Sequence, residues 1–257
     1  MASPVGEDNW IDYVDQQLRG AHDLNSRRHV IEQFRRAVDA EPGSIKVWTA
    51  YCEYFWSLYV DSQPGSDAGW PHKDQGAFSL DDALNLWQQG YEAVKFRLND
   101  SHELWDRWIE LEMDLLERTR TEQGVKRITH LFKNRLTVPH ATWDATSQKF
   151  STFLSNYNRQ AYEHEMQQIT ESSRAGRKHY EPRERFEFRL RTAKVVEEVK
   201  KTMLEYLDWE MGQFRDHLKR HRDPLLTFET CLGLYARALS GFFASDESTW
   251  ILSLIHI

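Results

Sequence analysis

The sequence predicts an all-α protein built as a solenoid of antiparallel helix pairs. Three observations lead to this prediction. The 257 residues include only 12 glycines and 7 prolines, fewer than a sheet protein with many turns requires. A tryptophan-led pattern recurs with a period near 38 residues. An apolar stripe with helical spacing follows each copy of that pattern.

The first helix of each pair carries the pattern Trp-x2-aromatic-x-acid. Its copies, each written as the leading residue with the aromatic residue three positions later, are Trp10 with Tyr13, Trp48 with Tyr51, Trp105 with Trp108, and Met203 with Tyr206. Trp143 keeps only the first position. Since a tryptophan buries on the order of 200 Å², we expect these anchor residues to pack on the second helix of their pair.

Spacing predicts how the chain is organised. Trp10 and Trp48 are 38 residues apart, as are Trp105 and Trp143, whereas Trp48 and Trp105 are 57 apart. We therefore expect a single solenoid over residues 1–257, with an irregular insertion at 60–78 that leaves the helix packing unaffected. Helix pairs should begin near residues 8, 44, 101, 139 and 194, with an incomplete sixth pair near 246. A break between sub-arrays is expected at 172–182, followed by an extra helix near 183–193.

The second helices show a stripe of apolar residues, of which Val30, Phe34 and Ala37 are one example. The acid five residues after each anchor is either solvated or paired with a basic residue of the second helix. The basic candidates for such a pair are Arg35, Arg36, Lys133 and Arg237. Helix starts are expected at Ser79, which precedes Asp82, and at Asp223, which precedes a proline.

Sequence motifs give no catalytic, cofactor or metal site, and we expect no enzyme. No phosphate-binding loop, HExxH or GxSxG motif occurs. His217 and His221 have helical metal-ligand spacing but lack a third ligand nearby, so a solvated basic face is favoured.

Cys52 and Cys231 are expected to be core thiols. Trp70 either binds a peptide or folds back on its own loop. Residues 1–10 lack the pattern of a secretory signal, and no apolar run approaches membrane length.

Charge is distributed unevenly along the chain. The net charge is −7, yet residues 174–201 contain 10 Lys and Arg against 5 Asp and Glu. We call the candidate contact residues in this segment the basic belt: Arg183, Arg185, Arg189, Arg191 and Lys194. The belt either contacts RNA or an acidic protein, or is a charged helix balanced by Glu181, Glu184 and Glu187.

The repeated pattern and the second helices, such as HVIEQFRRAVDA, resemble the HAT (half-a-TPR) repeat family of RNA-processing factors. Segments 131–153 and 156–169 are most similar to the branch that assembles and recycles the U4/U6 snRNP. The resemblance implies a right-handed, TPR-like superhelix. It also implies a nuclear protein-interaction scaffold in pre-mRNA splicing, with spliceosomal proteins as partners and no membrane. No RNA-recognition motif is present, so U6 RNA binding by such a motif is not implied.

Two alternatives stay open after this resemblance. The chain could be an RNA-contacting module through 174–201. It could also be a HAT subunit of another complex, in 3′-end processing, the U1 snRNP or rRNA processing. A dimer formed through further C-terminal repeats is likewise open.

The C-terminus departs from the repeat rule. Trp250 should open a sixth pair, but the residues three and five positions later are Ser253 and Ile255. We therefore expect the chain to be a fragment of a longer protein, with its last six residues either foreign or the result of an error in the sequence.

Overall fold

A computed structural model describes residues 6–66, 70–71, 74–239 and 243. Within these ranges the regular elements are α-helices and a 3-10 turn at Arg159–Ala161, with no strand. The helices are α1 (Glu7–Leu18), α2 (Leu24–Ala40), α3 (Ile45–Asp61), α4 (Leu80–Val94), α5 (His102–Thr119), α6 (Glu122–Thr137), α7 (Trp143–Tyr157), α8 (Tyr162–Ser172), α9 (Arg174–Tyr180), α10 (Glu184–Thr192), α11 (Val196–Lys219) and α12 (Leu225–Leu239). The predicted all-α fold class is confirmed.

Neighbouring helices pack as pairs: α1 with α2, α3 with α4, α5 with α6, and α7 with α8. The first helix of each begins close to the position that the tryptophan spacing indicates. The helices α11 and α12 are in contact through the rings of Phe214 and Phe228, whose centroids are 5.6 Å apart. Residues near 246, where a sixth pair was expected, lie outside the described part of the chain.

Short polar side chains define where several helices begin. The Ser79 hydroxyl accepts a hydrogen bond from the backbone N–H of Asp82 at 3.0 Å. The Asp223 carboxylate accepts one from Leu225, also at 3.0 Å. Both starts had been expected from sequence. Each such bond satisfies a backbone donor that the helix itself leaves without a partner.

The chain forms two compact units. One contains the described residues up to Val94 and those from Cys231 onward, and the other is Lys95–Thr230. In the first unit Trp10, Trp48 and Trp87 are buried, and in the second Trp105 is among the largest fully buried side chains. The boundaries fall at 94/95 and within α12, not in the segment 172–182.

Most of the segment 172–182 is helical. Helix α9 occupies Arg174–Tyr180 and packs on α6. A Cβ atom added at Gly176 would lie only 2.5 Å from the carbonyl oxygen of Thr137. The missing side chain therefore allows α9 to approach the end of α6 at backbone distance. Helix α10 is at the position of the expected extra helix.

The described part of the insertion 60–78 contributes buried residues to the first unit. That the insertion leaves the packing of the helices around it unaffected stays a prediction. Helix α3 continues to Asp61, and Trp70 and Phe78 are both buried. The Trp70 ring makes an edge contact with Phe78, with centroids 5.9 Å apart, and the Arg27 guanidinium lies 4.3 Å from its centroid. Trp70 thus folds back onto the first unit, which is the second of the two alternatives considered for it.

Candidate interaction surfaces

The leading residues of the repeat pattern differ in burial. Trp10 and Trp105 are 1% exposed and Trp48 is 9% exposed. Trp48 donates a hydrogen bond through Nε1 to the carbonyl of Pro42 at 3.0 Å. Trp143 is only half-buried, because its helix begins at that residue; its Nε1 donates to Leu136 at 2.9 Å. Met203 is buried, and Trp250 lies outside the described residues.

Two of the four aromatic residues three positions after the anchors stack on a ring of another helix. Tyr51 stacks on Phe34 of α2, with ring centroids 5.2 Å apart and planes 8° apart. Tyr206 stacks on Phe186 of α10 at 4.6 Å. Trp108 is buried, whereas Tyr13 is half-buried. These positions are therefore structural in the described part of the chain.

Three of the four acids that lie five residues after an anchor are exposed, which favours solvation over pairing with the second helix for these three. Asp15, Glu110 and Asp208 are exposed. Two of the basic candidates form ion pairs with acids other than these. Arg35 pairs with Glu32 at 3.3 Å, and Lys133 pairs with Glu165 of α8 at 2.7 Å. Solvation is the better description of these acids.

Sequence analysis missed two ion pairs with a buried carboxylate, and in one of them, Arg183–Glu210, the arginine is buried as well. Glu112, 1% exposed, pairs with Arg127 of α6 at 2.5 Å. Glu210, fully buried, accepts hydrogen bonds from both Nε and Nη2 of Arg183, the residue directly before α10. Burial raises the pKa of both carboxyls, and the paired arginine opposes that shift.

A signal for these pairs was present in the sequence. Glu112 and Glu210 each lie seven residues after the leading residue, Trp105 or Met203. Seven residues is close to two helical turns, so acid and anchor lie on the same buried face. The acid at the fifth position faces away from that side.

The residues of the basic belt differ in burial and in ion pairing. Arg183 is only 3% exposed and is committed to Glu210, so its predicted role as a partner contact is wrong: its charge is used inside the second unit. Arg189 pairs with the exposed Glu205 of α11 at 2.7 Å. Arg185, Arg191 and Lys194 are exposed.

Apolar and acidic side chains accompany the exposed belt residues. Phe188 is 55% exposed, and the guanidinium of Arg191 lies 5.7 Å from its ring centroid. The exposed carboxylates Glu181 and Glu184 line a cavity of about 490 Å³ together with Arg185 and Phe188. Charge on this face is therefore mixed. Of the three acids in the balanced-helix alternative, Glu181 and Glu184 are exposed and Glu187 is buried.

A different surface is formed where the first helices of two successive pairs, α5 and α7, face each other. We call it the α5–α7 groove. Its volume is about 390 Å³, within the range of ligand-binding clefts. The lining residues are Ile109, Glu110, Met113 and Asp114 of α5, Phe132 of α6, and Gln148, Lys149, Thr152, Phe153 and Asn156 of α7.

The floor of the groove is apolar and well packed. Phe132 lies 5.3 Å from Phe150 and 5.8 Å from Phe153, centroid to centroid, and 5.2 Å from Trp105 below it. Ile109 is 3% exposed. Because these rings pack against one another, the helix packing of the repeats fixes the positions of the side chains that form the floor.

The rim of the groove is polar and acidic. Lys149 is neutralised by Asp106 at 2.8 Å. Glu110 is exposed, and its nearest basic partner, Arg107, is 4.0 Å away. Asp114 is exposed as well. The remaining groups on the α7 side, Gln148, Thr152 and Asn156, can form hydrogen bonds with a peptide backbone.

The described part of the chain contains no group of three His, Cys, Asp or Glu residues that could hold a metal ion. His217 bonds to the carbonyl of Gln213 at 2.9 Å, and His221 follows the end of α11 with a positive φ of 51°. Cys52 and Cys231 are buried thiols that are not joined in a disulfide. Among the described helices, none is both long and apolar enough to span a bilayer.

Comparison with known proteins identifies the family. The profile described as PRP39 N-terminal HAT repeat matches residues 3–152. Two relatives named "Spliceosome associated factor 3, U4/U6 recycling protein", from Pongo abelii and Homo sapiens, are 21% identical over 165 residues, which is 61% of this chain. The chain spans about 15% of the length of these relatives. Since the profile covers more than half of the sequence and the fold is made of helix pairs, the chain belongs to the PRP39 N-terminal HAT repeat family.

Proposed function

We propose that this chain is a nuclear protein-interaction scaffold in pre-mRNA splicing, acting in the assembly or recycling of the U4/U6 snRNP. The family supports a role in RNA processing. The named relatives support the U4/U6 particle. The observation that carries the scaffold role is the α5–α7 groove, a preformed apolar cleft between two repeats with a polar rim.

Co-purification of small nuclear RNAs tests the proposal. The tagged chain is incubated in nuclear extract of its source organism, and U1, U2, U4 and U6 RNAs are quantified in the bound fraction. Enrichment of U4 and U6 over U1 and U2 is expected. Enrichment of U1 alone would assign the chain to another snRNP, and no enrichment of any of the four would reject splicing.

Nuclease digestion in the same experiment tests whether the contact is made by protein or by RNA. If the contact is made through protein, splicing proteins stay bound after the RNA in the extract has been digested with nuclease. Loss of all bound proteins on digestion would show that RNA, not protein, makes the contact.

Direct RNA contact is a second candidate, favoured by exposed Phe188 among Arg185, Arg191 and Lys194. Bases stack on aromatic rings and phosphates attract cations. The variant Arg185→Glu/Arg191→Glu/Lys194→Glu should then reduce binding of a single-stranded RNA oligonucleotide. The salt dependence should fall by about 0.7 in log–log slope for each lost phosphate contact. Equal RNA binding by variant and parent would reject this candidate.

A further inference from the structure

We propose that the α5–α7 groove binds a basic protein segment through a large apolar side chain flanked by Lys or Arg. This inference rests on the proposed scaffold function and specifies which partner chemistry the groove selects. It follows from the shape of the floor, the charge of the rim and the neutralisation of the lysine on the rim.

The floor calls for an apolar side chain. Ile109, Phe132 and Phe153 are each only 2–3% exposed, yet they line an open cavity of about 390 Å³. An aliphatic or aromatic side chain of a partner would fill this space and displace water from apolar surface. Half-buried Met113 at the side of the groove can adapt its conformation to different side chains.

The rim selects the charge of the neighbouring residues. Glu110 and Asp114 are one turn apart on α5, and both are exposed at the groove. The one cation in the lining, Lys149, is held by Asp106 outside the lining. Glu110 in turn lies 4.0 Å from Arg107, which is also outside the lining. With both outside partners counted, three carboxylates stand against two cations, so the rim is net negative, which attracts Lys or Arg and repels phosphate and acidic peptides.

The α7 side of the groove explains why an extended segment fits. Gln148, Thr152 and Asn156 are exposed and spaced four residues apart along one face of α7. Their amide and hydroxyl groups can pair with the N–H and C=O groups of a peptide backbone, which would otherwise be desolvated without partners.

Fluorescence anisotropy with synthetic probes tests the inference on the full chain. The probes are the fluorescein-labelled peptides GSKLRFKSG, which is basic and apolar, GSELEFESG, which is acidic and apolar, and GSKSRSKSG, which is basic without apolar residues. Only the first should bind. A dissociation constant weaker than about 1 mM for GSKLRFKSG, or equal or tighter binding of either other peptide, would overturn the inference.

Two variants locate the binding site. Thr152→Trp fills the groove from an exposed position and should abolish binding of GSKLRFKSG, whereas Ala145→Trp, exposed on α7 outside the lining, should leave it unchanged. Glu110→Lys/Asp114→Lys should weaken binding of the basic peptide at least about tenfold and favour the acidic one. Unchanged binding in Thr152→Trp would place the site elsewhere and overturn the inference.

Other occupants give distinct results in the same set of experiments. Sedimentation that shows self-association lost in Thr152→Trp but kept in Ala145→Trp would identify a second copy as the occupant and overturn the inference. Displacement of the peptide by a single-stranded RNA oligonucleotide would do so as well. Peptide binding without enrichment of any snRNA would reject the splicing function and leave the groove inference standing. Enrichment of U4 and U6 without peptide binding would support the splicing function and overturn the groove inference.

Discussion

Two ion pairs connect α11 with the segment 183–192, which is α10 and the residue before it, and their surroundings differ. Arg183 and Glu210 are buried side chains at 4% and 0% exposure, whereas Arg189 and Glu205 are exposed at 44% and 42%. A charge left without its partner in the interior keeps the full cost of its desolvation, but an exposed charge is hydrated by water. The two pairs therefore form a matched comparison within the contact between α11 and the segment 183–192.

We expect Glu210→Ala to lower the free energy of unfolding by about 3–5 kcal/mol, because it leaves the Arg183 guanidinium buried and unpaired. The control Glu205→Ala should cost far less. Replacing both buried partners, Arg183→Met/Glu210→Leu, should recover much of the loss. Urea denaturation followed by circular dichroism measures all three variants. Equal losses in the Glu210 and Glu205 variants would contradict the role of burial.

Buried His140 makes stability depend on pH. It is 2% exposed, and desolvation, followed by the charges of Arg135 and His102, lowers its pKa to about 2 from an ordinary value of 6.5. The unfolded chain therefore takes up a proton near pH 6.5 while the folded chain does not. Stabilisation by neutral His140 is present above pH 6.5 and is lost as the pH falls toward the folded pKa.

We expect the free energy of unfolding to fall by up to about 1.4 kcal/mol for each pH unit below 6 through this residue. His140→Gln should remove that part of the slope between pH 6 and 4. The exposed control His164→Gln should leave it unchanged. Urea unfolding at several pH values measures the slopes, and identical slopes in His140→Gln and parent would count against the assignment.

At the scale of the element, the sequence indicated most helix starts but not how closely helices approach. Ser79 and Asp223 precede helices in a pattern that is local in the chain, so it could be read without a structure. The close approach of α9 to α6 at Gly176 could not, because the residues in contact are about 40 positions apart. The sequence around Gly176 instead suggested a break.

We expect Gly176→Ala to destabilise the protein by about 1–3 kcal/mol, since the added methyl group would overlap the backbone of Thr137. The matched control is Gly212→Ala in α11, where an added Cβ meets nothing within 4 Å. There the gain in helix propensity should stabilise by up to about 1 kcal/mol. Thermal unfolding of the two variants gives the comparison, and a stabilised Gly176→Ala would refute the close contact.

At the scale of the whole molecule, the two units differ in continuity. The second unit is one uninterrupted segment, Lys95–Thr230, whereas the first combines residues up to 94 with those from 231 onward. Within the first unit a Cβ atom at Gly43 would lie 2.6 Å from the backbone of Ala236. The C-terminal part of α12 is therefore in close contact with the turn before α3.

We expect a fragment of residues 95–230 to fold cooperatively and keep its helical content, because it contains its own buried residues and ion pairs. A fragment of residues 1–94 lacks the α12 contact and should be less stable. Circular dichroism and urea unfolding of both fragments test this. Loss of cooperative unfolding in 95–230 would show that the second unit depends on the rest of the chain.

The sequence by itself determined the helix-pair fold, the period and the burial of Trp10, Trp48 and Trp105. These follow from apolar residues at fixed intervals, and such intervals are a property of one helix at a time. Only the tertiary structure decided that Arg183 is buried against Glu210 and that α5 and α7 leave a groove with an acidic rim. Both depend on the rotation of one helix relative to another, and spacing within a helix does not specify it.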